Sequence, residues 1–216
     1  MNASLTSEAL SRKEREKRAR QQDILNAAQE LFAAKGFRET TLDEIAQRAE
    51  FGKGTLYNYF GSKEDIFHAL IDQLLGNSLA MAQECAASDA DIQTKLTRYA
   101  RSSMEYVRTN GELFHAIVEE LHRGRKSEPS RLQDVFNRSQ TVANTIGTIL
   151  RKGMDAGTIR QGNPTDFVTM LDDMIRGVAS RQILMHGTLT PEELDRQADL
   201  IVSIFLDGIT VRHSKG

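Results

Sequence analysis

The chain has 216 residues, with 28 Lys and Arg against 30 Asp and Glu, one Cys, no Trp, 15 Gly and only three Pro. With 39% hydrophobic and 27% charged residues, it has the composition of a folded chain that buries a core, not of a disordered one. A lone Cys85 excludes an internal disulfide framework and a thiolate zinc cluster, and no apolar run approaches the ~18 residues of a membrane span.

The first twenty residues lack the apolar centre of an export signal, so the expected compartment is the cytoplasm. Their charge is uneven. Residues 12–20, RKEREKRAR, hold six Lys and Arg against two Glu. Such a basic arm on an otherwise acidic chain reads either as a nucleic-acid contact or as a solvated extension of the first helix.

The scarcity of Pro and the 3.6-residue spacing of apolar positions predict an all-α fold of about nine helices, short before residue 62 and long after it. Ile24, Leu25, Ala28, Leu31 and Phe32 form the apolar stripe of the first helix. Further starts are expected at Thr40 with Asp43, Ser62 with Asp65, Ser88 with Asp91, Asn163 with Pro164 and Asp166, and Thr190 with Pro191 and Glu193, and more weakly at Ser127 before Pro129. Gly36, Gly111, Gly124 and Gly157 fit helix ends. Two units follow: a compact N-terminal one of three short helices, and a C-terminal bundle of about 150 residues.

Residues 41–60, TLDEIAQRAEFGKGTLYNYF, have the pattern of a helix-turn-helix. The first helix, capped by Thr40 or Thr41, turns Leu42, Ile45, Ala46 and Ala49 inward. The second, from about Lys53 to Tyr59, is too short and polar to stand alone and is pinned by Leu56 and Phe60. Lys53, Thr55, Tyr57, Asn58 and Tyr59 remain outward, with Gly52 and Gly54 at the helix start. Small residues, a Lys and hydroxyl donors at that point suit phosphate and a major groove; the alternative is a surface for a partner protein.

Residues from about Arg18 to Ile71 resemble the DNA-binding domain of the TetR (tetracycline-repressor-like) family of bacterial transcription regulators. The resemblance rests on ILNAAQELFAAKGF at 24–37, TTLDEIAQRA at 40–49 and above all KGTLYNYFGSKEDIF at 53–67. Glu50 and Phe51 stand where the family usually has a turn Gly and a small aliphatic, and Gly52 replaces a frequent Ser. The resemblance implies three parts: a basic arm at 1–17, a DNA-binding domain at 18–78 and an effector-binding and dimerisation domain at 79–216. By motif position, Thr41, Lys53, Tyr57 and Lys63 match phosphate contacts, while Gly54, Thr55, Asn58 and Tyr59 match base-facing positions; at Gly52 a phosphate contact would come from backbone.

Beyond residue 75 the resemblance thins. RKGMDAGTIRQGNPTDFVTML at 151–171 matches the family's link into its last two helices, with Ile159 plugging the loop. Those helices, about 164–187 and 191–212, imply a homodimer, with Phe167, Leu171, Ile175, Val178, Ile201, Ile204, Phe205 and Ile209 at its interface. The alternative is a monomer core. By the same analogy the middle helices enclose a small-molecule effector pocket, with Tyr99, Met104, Phe114, Ile117, Phe136, Met170 and Met174 as lining candidates, although Met and Phe at helical spacing are more often plain core. The implied function is a regulator, most simply a repressor released from a pseudo-palindromic double-stranded operator when effector binding shifts the fourth helix. An all-helical protein-interaction module is the alternative.

His115, Glu119 and His122 share one helical face, but the di-iron pattern needs a second Glu-x-x-His and two further Glu, and there is no second copy. No metal, cofactor or catalytic residue is expected, because Cys85 lacks a His–Asp constellation and no phosphate loop or Gly-x-Ser-x-Gly occurs.

Overall fold

The computed structural model describes residues 12–124, 129–186 and 190–210, and these form eight helices with no strand among them. They divide into two units, one up to Leu70 and one from Ile71 onward.

In the first unit, α1 (Arg12–Glu39) takes in residues 12–17, so the basic run forms an extension of the first helix, one of the two readings of that run. The reason is local. Arg, Lys, Glu and Ala are strong helix formers, no Gly or Pro interrupts them, and Arg12 pairs with Glu16 one turn on at 2.8 Å. Residues 12–20 are exposed throughout, and burial begins at Ile24 and Leu25. Gly36 breaks the helical path at φ 83°, a conformation that favours Gly, and the chain turns there into α2 (Leu42–Arg48).

The two candidate caps of α2 divide the work. Thr41 is the N-cap: its hydroxyl accepts from the Glu44 backbone N–H at 3.3 Å, while the Glu44 carboxylate accepts from the Thr41 backbone N–H at 2.8 Å, a complete capping box. Thr40 is buried, and its hydroxyl donates to the Gly36 carbonyl at 2.9 Å. The cap partner is therefore Glu44 and not Asp43. Helix α3 (Lys53–Tyr57) is held by buried Leu56 and by Phe60 beyond its end, as the spacing predicts. Ile66, Phe67 and Leu70, on the first turns of α4 (Lys63–Ala87), complete this core, with the Phe32, Phe37 and Phe67 rings packed at centroid distances of 4.7–6.1 Å.

The second unit contains the rest of α4, α5 (Ile92–Gly124), α6 (Pro129–Asp155), α7 (Pro164–His186) and α8 (Pro191–Ile209). Helix α5 is capped by Asp91, which accepts from the Thr94 N–H at 2.9 Å; Ser88, expected in that role, instead donates its hydroxyl to the Cys85 carbonyl at the end of α4. Gly111 does not end a helix. It lies inside α5, where the apolar stripe carried on by buried Met104, Leu113 and Ile117 outweighs the ~1 kcal/mol that an interior Gly costs. Two expected helices are thereby one, which accounts for eight among the described residues instead of about nine.

All three Pro begin helices, and Thr190 with Glu193 forms a second capping box. Ser127 lies outside the described residues. Between α6 and α7, Gly157 adopts φ 69° and Ile159 is buried against Gly153, as expected of a plug. The Arg160 N–H donates to the Ile209 carbonyl at 2.8 Å, fastening this link to the end of α8.

Candidate functional site

The solvent face of α3 is built from the outside inward. Tyr57 is 47% exposed; Lys53, Gly54 and Asn58 are exposed, and Thr55 and Tyr59 half-buried. A Cβ added at Gly52 or Gly54 would meet no atom within 4 Å, and Gly52 has φ −68°, open to any residue. Both glycines leave the start of α3 bare, and Gly52 is its N-cap, a position where glycine is common.

The cations of this face are not all free to meet it. Lys53 donates to the Asp43 carboxylate, with contacts of 2.7 and 3.0 Å, and this partner raises the ammonium pKa. The pair is well exposed, so a phosphate can compete for the Lys at little cost. Lys63 is different. Its ammonium donates to the carbonyls of Phe37, Arg38 and Thr40 at 2.8, 3.1 and 2.7 Å and lies 4.5 Å from the Phe37 ring centroid. An ammonium has three protons, and all three point at the corner where α1 becomes α2.

The turn between α2 and α3 holds the second departure from the usual pattern. Glu50 sits in the left-handed region at φ 60°, where a Gly would be unstrained. Phe51 next to it is half-buried and donates its N–H to the Ala46 carbonyl at 2.8 Å. Around the face, Glu44 accepts from Lys35 at 2.5 Å and Arg48 pairs with Glu30. The Lys35 ammonium, then the Thr41 N–H and hydroxyl, hold the Glu44 carboxyl down at about 2.

The second unit contains a cavity of about 180 Å³, among residues of α4, α5, α6 and α7. Leu74, Leu75, Met81, Val107, Val142 and Ile175 give it an apolar wall, and Tyr99, Asp172 and Arg176 a polar one. The buried Tyr99 hydroxyl donates to Asp172 at 2.8 Å, and the second Asp172 oxygen lies 3.9 Å from the Arg176 guanidinium. Burial raises the Asp172 pKa, against the opposing effects of Tyr99 and Arg176; burial and then the Asp172 charge raise that of Tyr99.

Of the described residues expected to line a pocket, Tyr99 alone is in the lining of this one. Met104 and Ile117 are buried outside its lining, Met174 packs partly against the core, and Phe136 and Met170 are exposed. The side chains of Phe114, His115, Glu119 and His122 lie outside the described residues. Among those described, no cluster of metal-ligating residues occurs. Sequence reasoning missed Asp172 and Arg176. The available signal was charge one turn apart on a helix whose neighbouring positions 168, 171 and 175 are wholly apolar.

The residues expected at a dimer interface divide similarly. Phe167, Leu171, Ile175, Ile201, Phe205 and Ile209 are buried in the protomer's own core, and Val178 packs partly against it. Ile204 alone of the set is exposed. Among the described side chains, the outward large apolar ones of α7 and α8 are Met170, Leu200 and Ile204, with open space around Gly177 and Gly208. No described helix is long and apolar enough to cross a membrane.

Comparison with known proteins bears on this geometry. Residues 24–70 match the model of the tetR family of bacterial regulatory proteins. The chain is 28% identical over 148 residues to the fatty acid metabolism regulator protein of Bacillus subtilis, covering 68% of this chain and 75% of that one. It is 26% identical over 194 residues to the HTH-type transcriptional repressor KstR2 of Mycobacterium tuberculosis, covering 89% and 94%. Among solved structures, the transcriptional regulator FadR from Bacillus subtilis in complex with stearoyl-CoA superposes with a TM-score of 0.72 at 23% identity, over 87% of this chain and 98% of that one.

Proposed function

From the premise that the chain is a DNA-binding transcriptional regulator of the TetR family, we propose that it is a cytoplasmic homodimeric repressor that leaves a pseudo-palindromic operator when a small molecule fills the α4–α7 cavity. The observation that carries the reading is the face of α3, where an exposed Tyr57 stands beside two glycines that leave the helix start open. Gly52, Lys53 and Tyr57 then serve the phosphates, and Gly54, Thr55, Asn58 and Tyr59 face bases. The Thr41 hydroxyl, which also donates to Glu44 at 2.8 Å, works first as a cap. Lys63 works as a clamp on the α1–α2 corner instead of a phosphate ligand.

A short recognition helix reads few base pairs, so two-fold pairing is what gives such a unit a long enough site. Exposed Met170, Leu200 and Ile204 supply an apolar face for that pairing. Effector coupling has a physical route in α4, which gives Ile66, Phe67 and Leu70 to the core of the reading unit and Leu74 and Leu75 to the cavity wall.

Fluorescence anisotropy on DNA from upstream of the protein's own gene tests the reading. Tyr57→Ala should weaken sequence-specific binding at least tenfold, about 1.4 kcal/mol. Light scattering should give twice the 24.2 kDa chain mass. If the protein selects no DNA, or the variant binds as tightly, the protein-interaction alternative stands instead.

A further inference from the structure

Helix α3 carries one charged residue, Lys53, and in the free protein that charge is already answered. The ammonium lies 2.7 Å from one oxygen of Asp43 and 3.0 Å from the other, so the carboxylate grips it with both. Asp43 is on α2, ten residues back, and the pair ties the two helices of the motif together. Helix α3 therefore presents no net charge until Asp43 lets its cation go.

The neighbouring charges are engaged differently. Glu44 caps α2 and accepts from Lys35 at 2.5 Å, Glu30 pairs with Arg48, and Lys63 is turned onto three backbone carbonyls. None of those contacts involves α3. Breaking the Lys53–Asp43 contact costs little in itself, because both side chains are more than half exposed. The anion left behind is the larger effect. A phosphate oxygen on the Lys53 ammonium would stand about 5 Å from a carboxylate that keeps its charge, inside the ~8–10 Å Debye length of ordinary salt. At that separation two like charges in water oppose each other roughly fourfold in an equilibrium constant.

Resting on the reading of Lys53 as a phosphate ligand, we propose that Asp43 is an internal competitor of DNA phosphate for Lys53 and holds down the affinity of the reading unit for DNA. The competition acts on DNA of any sequence, since phosphate is all that Asp43 rivals. A contact made by exchange is also undone by exchange. As the phosphate departs the ion pair re-forms, so the step off DNA leaves no bare ammonium.

Fluorescence anisotropy of the full-length protein on a labelled random-sequence duplex, over a range of salt, tests this without an operator. Asp43→Asn should bind at least threefold tighter at low salt. It should also steepen the slope of log K against log salt, by up to about 0.9 for each α3 engaged. Asp43→Asn combined with Lys53→Met, which has the parent's net charge, should lose that gain. Glu50→Gln removes the same charge from the neighbouring turn, leaves the pair intact and should gain less than Asp43→Asn. Helical circular dichroism should be kept in all three. An Asp43→Asn protein that binds like the parent overturns the proposal; one that binds more weakly does so too, and makes Asp43 a support that positions Lys53. Equal gains from Asp43→Asn and Glu50→Gln overturn it as an effect of overall charge, and Lys53 stays a phosphate ligand if the double variant still falls back. A double variant as tight as Asp43→Asn removes Lys53 from the phosphate ligands, and the proposal falls with that reading.

Discussion

The two units treat their polar groups in opposite ways. In the reading unit nearly every charge near the motif closes on a partner of the same unit: Lys63 on three carbonyls, Glu44 on the α2 cap, Lys53 on Asp43. What remains outward is a small set of hydroxyls, an amide and two bare glycines. In the second unit the polar groups of α5 and α7 meet beside a cavity, where the Tyr99 hydroxyl donates to Asp172 and Arg176 divides between Asp172 and Asp173.

The largest expected effect attacks the first half of that contrast. Lys63→Met removes three charge-assisted bonds and should cost about 2–3 kcal/mol in denaturant unfolding. Operator affinity should fall, with the slope of log K against log salt unchanged, because a positioning clamp neutralises no phosphate. A slope smaller by about 0.9, with equal loss on non-specific DNA, would make Lys63 a phosphate ligand after all.

A smaller effect belongs to the second unit. A Cβ at Gly153 would stand 2.7 Å from Ile159 Cδ1 and 3.0 Å from Ile92 Cδ1. Gly153→Ala should therefore lower stability by about 1–2 kcal/mol through overpacking, again with an unaltered salt slope. Resistance to this change would mean that the α6–α7 link repacks freely.

The smallest effect has the opposite sign. Glu50→Gly relieves the left-handed strain at φ 60° and should raise the free energy of urea unfolding by under about 1 kcal/mol, since glycine's own chain entropy offsets part of the gain. A loss of stability would show that Glu50 makes contacts worth more than its strain.

The same contrast explains what the sequence made legible. The motif could be read because its determinants are local: a cap three residues from its partner, a tight turn, and Leu56 and Phe60 four residues apart. Even there, the choice of Thr41 over Thr40 depended on the burial of Thr40 under the Gly36 corner, a tertiary fact. The cavity was not legible, since it needs the rotational settings of four helices at once. Met170 and Met104 both look like pocket residues at helical spacing, yet one faces solvent and the other is core. Most of the dimer candidates are buried within the protomer for a related reason: strong apolar stripes such as Leu171 with Ile175 pack first into its own core. Gly111 misled because glycine marks a helix end only when the apolar pattern stops with it.

The unbroken run of α1 from Arg12 has a consequence for handling the protein. Its first nine residues carry six basic side chains and are exposed on every side, so their helix is held only by its own hydrogen bonds and pairs such as Arg12 with Glu16. A protease that cuts after Lys or Arg needs a locally unravelled chain, and this end unravels most easily. Brief digestion will therefore trim the protein back toward Arg20 while sparing the core that begins at Ile24, leaving a fold that is intact by circular dichroism but has lost its densest positive charge.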